Sequence, residues 1–438
     1  MRVGIIGGGV SGMAAAWLVQ DDHDVTLFDT SPHLGGHAET LPVEVQGTTV
    51  NAELGARFFF ESAYPYFLAL LSFLRVPTRW SDARVSFTHV ARSHTMVLPP
   101  RSPRHVAALL RSPRALRHLL SLRRLIAEQP KVAAERDFSV TFRRHLAEKG
   151  YPESFGPELV YPFLAACWGA PLEALPEFPV YSLLKGMPPG NAPGFYEVTG
   201  GMSHYIRALA EELRHVEVRL GAGIAKVTRD GSFHLTDERG QQSSFDQLIV
   251  ATSSREASAL LRGVAGVQRM TDLVGGFRHF DTEIVVHGDR SLMPRDQRDW
   301  AHTNLFFEGD LAWMSDWPGL GAGAPVFRTW LPKGKAKPSP LYGARSYHHL
   351  LMTPENAILQ RRIGALQGEA GLWVTGMYAA DVDNHESALL SALVPAAHLA
   401  PRSKNLSRLL GAVAKDAPHG LEVLPVPISL PREGASFA

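Results

Sequence analysis

The stretch GIIGGGVSGMAAAWLV, Gly4 to Val19, limits what this chain can become more than any other part of it. The apolar, mostly β-branched run Val3–Ile6 predicts a buried strand. Gly7, Gly8 and Gly9 follow, then Val10, Ser11 and Gly12. Met13–Gln20 predicts a helix with small residues at Ala14, Ala15 and Ala16. DVTLF at Asp24–Phe28 predicts a second buried strand, closed by Asp29. This is a β-turn-α-β unit with Gly7-x-Gly9-x-x-Gly12 at the strand-to-helix turn. Gly7 permits the tight turn, Gly9 lets backbone N–H groups approach a pyrophosphate, and Gly12 lets the helix pack closely on the strand. The helix N-terminus, entered through Val10 and Ser11, offers free N–H donors and a positive dipole end to the phosphates. Asp29 lies 22 residues after Gly7, where a carboxylate can bind a ribose diol. The pattern therefore predicts dinucleotide binding rather than a bare glycine-rich turn.

SPHLGGHAET, Ser31 to Thr40, adds a second glycine pair, Gly35-Gly36, directly after the acidic strand end. A plain nicotinamide dehydrogenase has no need of it. The order GxGxxG, acidic strand end, then LGG resembles the flavin-containing amine oxidase and phytoene desaturase superfamily. With His37 after the glycine pair, where members typically carry Arg, the segment GGHAET resembles more nearly a bacterial subgroup of predicted FAD/NAD-binding oxidoreductases. Other segments carry the same resemblance. Glu53-Leu54-Gly55-Ala56-Arg57-Phe58 is similar to the family segment that approaches the flavin. TGGMSHY at Thr199–Tyr205 is similar to the glycine-pair turn that opens a helix. VEVRLGAGIAKV at Val216–Val227 is similar to the strand pair that meets adenine, here through Ile224. DQLIVAT at Asp246–Thr252, with Ala251, and GLWVTG at Gly371–Gly376 are similar to two further family strands. After Gly376 and Met377, the helix start at Asn384-His385-Glu386 is the one the family aims at the flavin pyrimidine ring, where a helix dipole meets negative charge.

The resemblance implies an α/β protein: a Rossmann-like FAD-binding domain of amine-oxidase type with a discontinuous α+β substrate domain. Residues 1–75, 199–265 and 366–400 would form the FAD domain. Residues 76–198 and 266–365 would form the substrate domain, the first insert reading helical and the second mostly strand. Residues 401–438 read as a C-terminal extension outside the family core, with PRSKNLSRLL as a short helix. The implied cofactor set is Gly7, Gly9, Val10, Ser11, Gly12, Asp29, Gly35, Gly36, His37, Arg57, Phe58, Ile224, Ala251, Gly376, Met377, His385 and Glu386.

The remaining sequence narrows the function classes. A net charge of +1 over 438 residues carries no nucleic-acid footprint. The single cysteine, Cys167, excludes an intramolecular disulfide. It lies away from the flavin motifs, so the FAD is expected to be non-covalent. No apolar run reaches the ~18 residues a bilayer span needs, and the N-terminus does not read as a signal peptide, so the expected compartment is the cytoplasm. His33 and His37 have HxxxH spacing, but Gly35 and Gly36 between them disfavour the helix a metal pair would need. No metal site is expected.

A local echo, SPRHVAALL at Ser102 and SPRALRHLL at Ser112, predicts two successive helix starts, each with Ser as N-cap and Pro as first residue. It sits in a basic run. Arg101, Arg104, Arg111, Arg114, Arg117, Arg123 and Arg124 occur with no acid before Glu128. The plainer reading is a solvated face on a helical lid. The sharper readings are an anionic membrane surface or an acidic carrier protein.

FAD carries the redox step, so the protein mainly positions a C–H bond. There is one nucleotide fingerprint and none for a nicotinamide donor. Asn384 stands where many amine oxidases place an aromatic residue that cages the amine, which weakens plain amine oxidation. The leading expectation is hydride removal from an apolar organic substrate (an acyl, polyketide or terpenoid chain), giving C–C desaturation or double-bond isomerisation. The alternatives are oxidation of a small or secondary-metabolite amine, and a non-catalytic flavin-binding partner in a biosynthetic complex. His385, Arg57 and Asn384 are the candidate catalytic groups.

Overall fold

The computed structural model describes residues 1–82, 84–92, 94–185, 194–319 and 323–414. The N-terminal unit folds around its glycines. Arg2–Ile6 pairs in parallel with Asp24–Phe28, and the helix between them runs Val10–Val19 with every residue buried. That helix begins three residues before Met13, the start its composition suggests. Gly12 therefore falls inside the first turn, and a Cβ there would stand 1.8 Å from the Gly7 carbonyl oxygen. The alanines let the helix lie between the sheet and a second buried helix, His385–Leu399.

The sheet has five strands in the order Leu372–Val374, Gln247–Val250, Arg2–Ile6, Asp24–Phe28, Val216–Arg219. All its pairings are parallel. Its strands come from three distant stretches of sequence. The helix Lys404–Ala414 belongs to the same body: Leu406, Leu409, Leu410 and Val413 enter its core. Residues 401–414 are thus part of the nucleotide-binding body rather than an extension outside it. The rest of the tail lies outside the described residues.

A second sheet of seven strands is built on the intervening segments. Its order is Leu341–Leu350, His279–His287, Phe327–Leu331, Leu311–Asp316, Thr303–Glu308, Val85–His89, His94–Leu98. The last two strands come from the first insert, which its sequence makes look helical throughout. VSFTH is too short to show a period clearly, and it is held by parallel pairing to Thr303–Phe307, more than two hundred residues away. The insert also opens and closes with strand, Thr78–Asp82 pairing antiparallel with Gly194–Val198. It agrees with the sequence reading only from Pro103 to Lys185, where the elements are helical. The serine echo gives helices Pro103–Leu110 and Pro113–Ala127, with the Ser102 side chain accepting from the His105 N–H and Ser112 from the Ala115 N–H. Helices and sheet enclose an apolar core that includes Phe87, Phe142, Phe155, Phe178 and Leu305.

Buried charge fastens the segment Glu53–Arg57 to the seven-stranded sheet. Arg57 pairs with Glu197 at 2.9 Å and Asp316 at 3.0 Å, and donates to His302 Nε2 at 2.8 Å. Arg328 shares Asp316 at 2.8 Å and donates to the carbonyls of Glu53 and Gly55, each at 2.7 Å. The Tyr347 hydroxyl donates to the Leu54 carbonyl at 2.5 Å. Burial pushes the Glu197 carboxyl up, but Arg57 and His302 outweigh it and hold the group well below the ordinary carboxylate range. Such a network is costly to break from one side, because the stranded charge stays buried. Arg57→Ala is expected to lower unfolding stability by about 3–5 kcal/mol, measured by urea denaturation. A loss under about 1 kcal/mol would mean the network is solvated.

Candidate active site

The two glycine turns form one cradle. Gly7 has φ of +109°, and its N–H donates to the Phe28 carbonyl at 2.8 Å. The Gly35 N–H donates to the Gly8 carbonyl at 2.9 Å, and Gly9 and Gly35 make a parallel bridge. Gly36 has φ of +56°, and a Cβ there would stand 3.1 Å from the Gly9 Cα. The second pair is glycine because it lies directly on the first turn. Asp29 braces the junction: one carboxylate oxygen accepts from the Gly8 N–H at 2.5 Å, the other from Ser31 N–H at 2.7 Å. Each oxygen can accept a further hydrogen bond, so the carboxylate retains capacity for a ribose hydroxyl.

From this cradle opens a cleft of about 880 Å³. Gly7, Gly9, Val10, Ser11, Asp29, Gly35, Gly36, His37, Ile224, Ala251, Gly376, Met377 and His385 all line it. These include the phosphate turn, the predicted adenine contact and the predicted flavin end. Gly12 does not line the cleft; it sets how closely helix meets turn. Arg57, Phe58 and Glu386 do not line it either. Arg57 is held in the buried network above, and Phe58 packs on Phe195 with ring centroids 4.3 Å apart. Glu386 accepts from the backbone N–H groups of Tyr66 at 2.9 Å and Phe67 at 2.8 Å. It thereby caps the helix Pro65–Phe73. Burial pushes its carboxyl up to about 7, against those two hydrogen bonds.

At the far end, Asn384 is the N-cap of His385–Leu399, its side chain accepting from the Ser387 N–H at 2.8 Å. His385 is buried and shares a 2.7 Å hydrogen bond with the Tyr205 hydroxyl. Burial, and secondarily His37, pushes its imidazole down to about 3. Burial and the neighbouring His349 likewise take His37 down to about 4, although Asp383 opposes them. Both rings stay neutral at neutral pH. They are better suited to accept or donate a fixed hydrogen bond than to deliver a proton.

Three residues at this end were not singled out from the sequence. Tyr347, Tyr378 and Asp383 line the cleft. Asp383 accepts from or pairs with His349 Nδ1 at 2.9 Å, while its other oxygen and the Tyr378 hydroxyl are buried without a partner. For Asp383 the acidic run AADVDN, immediately before the helix start at His385, was the available signal. Unpartnered buried polar atoms are rare, and here they belong to residues lining an elongated cleft that begins at a phosphate turn. These residues fit a flavin dinucleotide. Cys167 is not among them: burial pushes its thiol up to about 12, and it packs against the apolar core of the other body.

Fold and cleft together define a flavin-dependent oxidoreductase with a Rossmann-like nucleotide-binding body. The profile of the flavin containing amine oxidoreductase family matches residues 10–279, more than half of the chain, and the chain belongs to that family. The fold is shared with a fatty acid isomerase from P. acnes that produces CLA, at 14% identity and TM-score 0.66 over 90% of this chain and 97% of that one. It is shared with putrescine oxidase bound to putrescine, at 14% identity and TM-score 0.60 over 92% and 100%. Reduced UDP-galactopyranose mutase is similar as well, at 13% identity and TM-score 0.63 over 94% and 98%. No curated protein matches the chain by sequence. The protein is an FAD-dependent oxidoreductase.

The depressed His385 has a signed consequence for stability. The unfolded chain binds a proton below about pH 6.5 that native His385 refuses. The stability this group contributes is present above that pH and drains as pH falls towards 3. Between pH 7 and pH 5 the wild-type protein should therefore lose roughly 1–2 kcal/mol relative to His385→Gln, read as a shrinking gap between their urea midpoints. A constant gap would mean His385 protonates freely in the folded protein.

Proposed function

We propose that the enzyme takes a hydride from an apolar organic substrate, such as an acyl, polyketide or terpenoid chain. The outcome is C–C desaturation or, with return of the hydride, double-bond isomerisation. The observation that carries this reading is the role of Asn384. Its side chain is spent on the Ser387 N–H as a helix cap, at the position where many amine oxidases present an aromatic wall to the amine. A second observation agrees. Arg57, in the segment that by family resemblance approaches the flavin, is a fixed cation whose carboxylate partners Glu197 and Asp316 are already paired. An ammonium substrate would find no free counter-charge in that group.

Bound FAD would supply the hydride acceptor. The chain's own part is to hold and orient it. The glycine cradle would take the pyrophosphate, Asp29 a ribose and Ile224 the adenine, and the first turn of His385–Leu399 would offer its dipole to the pyrimidine ring. In desaturation the hydride leaves one carbon, a proton leaves its neighbour, and the remaining electron pair forms the new double bond. His385 holds the Tyr205 hydroxyl rather than taking that proton. The flavin is held without a covalent bond.

Two measurements test this. Acid precipitation of the purified protein should leave a yellow supernatant with a band near ~450 nm; colour retained in the pellet would contradict dissociable flavin. Anaerobic mixing should bleach that band with long-chain acyl substrates and leave it unchanged with polyamines or aryl-alkyl amines. Bleaching by amines alone would make the enzyme an amine oxidase. Failure of every substrate class would favour a flavin-binding partner without turnover.

A further inference from the structure

The seven arginines between Arg101 and Arg124 are not used alike. Arg104 pairs with Asp296 at 2.7 Å and with Asp299. Arg114 pairs with Glu158, and Arg124 donates to the Lys149 carbonyl at 2.6 Å. These three fasten the helices Pro103–Leu110 and Pro113–Ala127 to the rest of the body. Arg111, Arg117 and Arg123 are exposed and have no hydrogen-bond or ion-pair partner among the described residues. Beside them stand four of the most exposed large apolar side chains: Leu110 at 66%, Leu120 at 59%, Val106 at 43% and Leu116 at 37%. On the longer helix, Leu116, Arg117, Leu120 and Arg123 fall three and four residues apart and share one outward face. The inward face carries His118, Leu122 and Leu125.

A face that mixes unpaired arginines with exposed leucines is poorly suited to water and well suited to an anionic lipid interface. There, leucines enter the acyl boundary and guanidinium groups meet phosphates. The whole chain has a net charge of only +1, so this positive face is local. The hairpin also does not rest on solid core. Beneath it lies a cavity of about 510 Å³ with an apolar wall of Phe87, Met96, Leu98 and Phe307 from the sheet and a mixed wall that includes Leu119, His118, Arg114 and the exposed Arg111 from the hairpin. This is the edge of the seven-stranded sheet opposite Leu341–Leu350, the strand whose Tyr347 lines the cofactor cleft. Six strand spacings, roughly 29 Å, separate the two.

We propose that the outer face of the Pro103–Ala127 helical hairpin docks on an anionic phospholipid bilayer, lying on its surface with Leu110, Leu116 and Leu120 inserted and Arg111, Arg117 and Arg123 on lipid phosphates. No helix among the described residues is long and apolar enough to cross a membrane, so the attachment is peripheral and reversible. It does not depend on which reaction the flavin performs.

The test is co-sedimentation of the flavin-loaded full-length protein with vesicles of phosphatidylcholine alone or with about one third phosphatidylglycerol. Binding is expected with the anionic vesicles only, falling steeply as salt rises from about 50 to 500 mM because exposed charges are screened. Replacing Arg111, Arg117 and Arg123 together by Gln should weaken partitioning by about a hundredfold. The same charge loss at exposed Arg207, Arg362 and Arg402 should change it little. Leu116→Ser with Leu120→Ser should also weaken it, with the flavin spectrum unchanged as a check on folding. No sedimentation with either vesicle at low salt overturns the proposal, as does equal loss in the two arginine triples. Salt-sensitive binding to an acidic carrier protein without vesicle binding would overturn it in favour of a protein partner.

Discussion

The contact between two side-chain-free turns governs the architecture. Gly8 and Gly9 lie against Gly35 and Gly36 closely enough for a backbone hydrogen bond of 2.9 Å between Gly35 and Gly8. A methyl group at Gly36 would press on Gly9, and one at Gly12 would collide with the Gly7 carbonyl. Because the backbones meet directly, the first helix can start at Val10, Asp29 can reach back to the Gly8 N–H, and the cleft can open along the strand ends. A parallel sheet places ligands at the carboxyl ends of its strands, and here the carboxyl ends of three strands, at Ile6, Phe28 and Val250, surround the cradle.

How much of this could be read in advance depended on how local each constraint is. Glycines needed for a turn leave their mark within a dozen residues, so the cradle, Asp29 and the first two strands are legible in the sequence. Ile224, Ala251, Gly376 and Met377 were reachable through family resemblance because each sits in a short strand-turn motif. Arg57 and Glu386 were not. Their positions in the motifs suggest the cofactor, yet their partners lie 140 residues away at Glu197 and 320 residues away at Tyr66. No local pattern reveals such a pairing. The strands Val85–His89 and His94–Leu98 escaped for the same reason, since only the seven-stranded sheet makes them strands.

Fold and reaction separate cleanly here. A fatty acid isomerase, a putrescine oxidase and a mutase share this architecture at 13–14% identity, so the scaffold does not set the reaction, which falls to particular side chains. Asn384 illustrates the point. A single amide at the mouth of a helix serves that helix, its oxygen accepting from the Ser387 N–H at 2.8 Å.

Glu386 carries a consequence for how the chain is made. It satisfies the first turn of Pro65–Phe73, and the helix that begins beside it covers Val10–Val19, whose ten residues are all buried. The strand completing the parallel sheet, Leu372–Val374, also comes late. During synthesis, the earliest segments therefore emerge with their apolar faces bare and their helix end uncapped. They must wait for nearly four hundred residues to follow before their partners exist. Domains usually complete themselves from the N-terminus as they leave the ribosome. This one closes from its last fifth, so a truncated product would lack part of its first domain as well as its last, and would expose the nucleotide-binding core to aggregation.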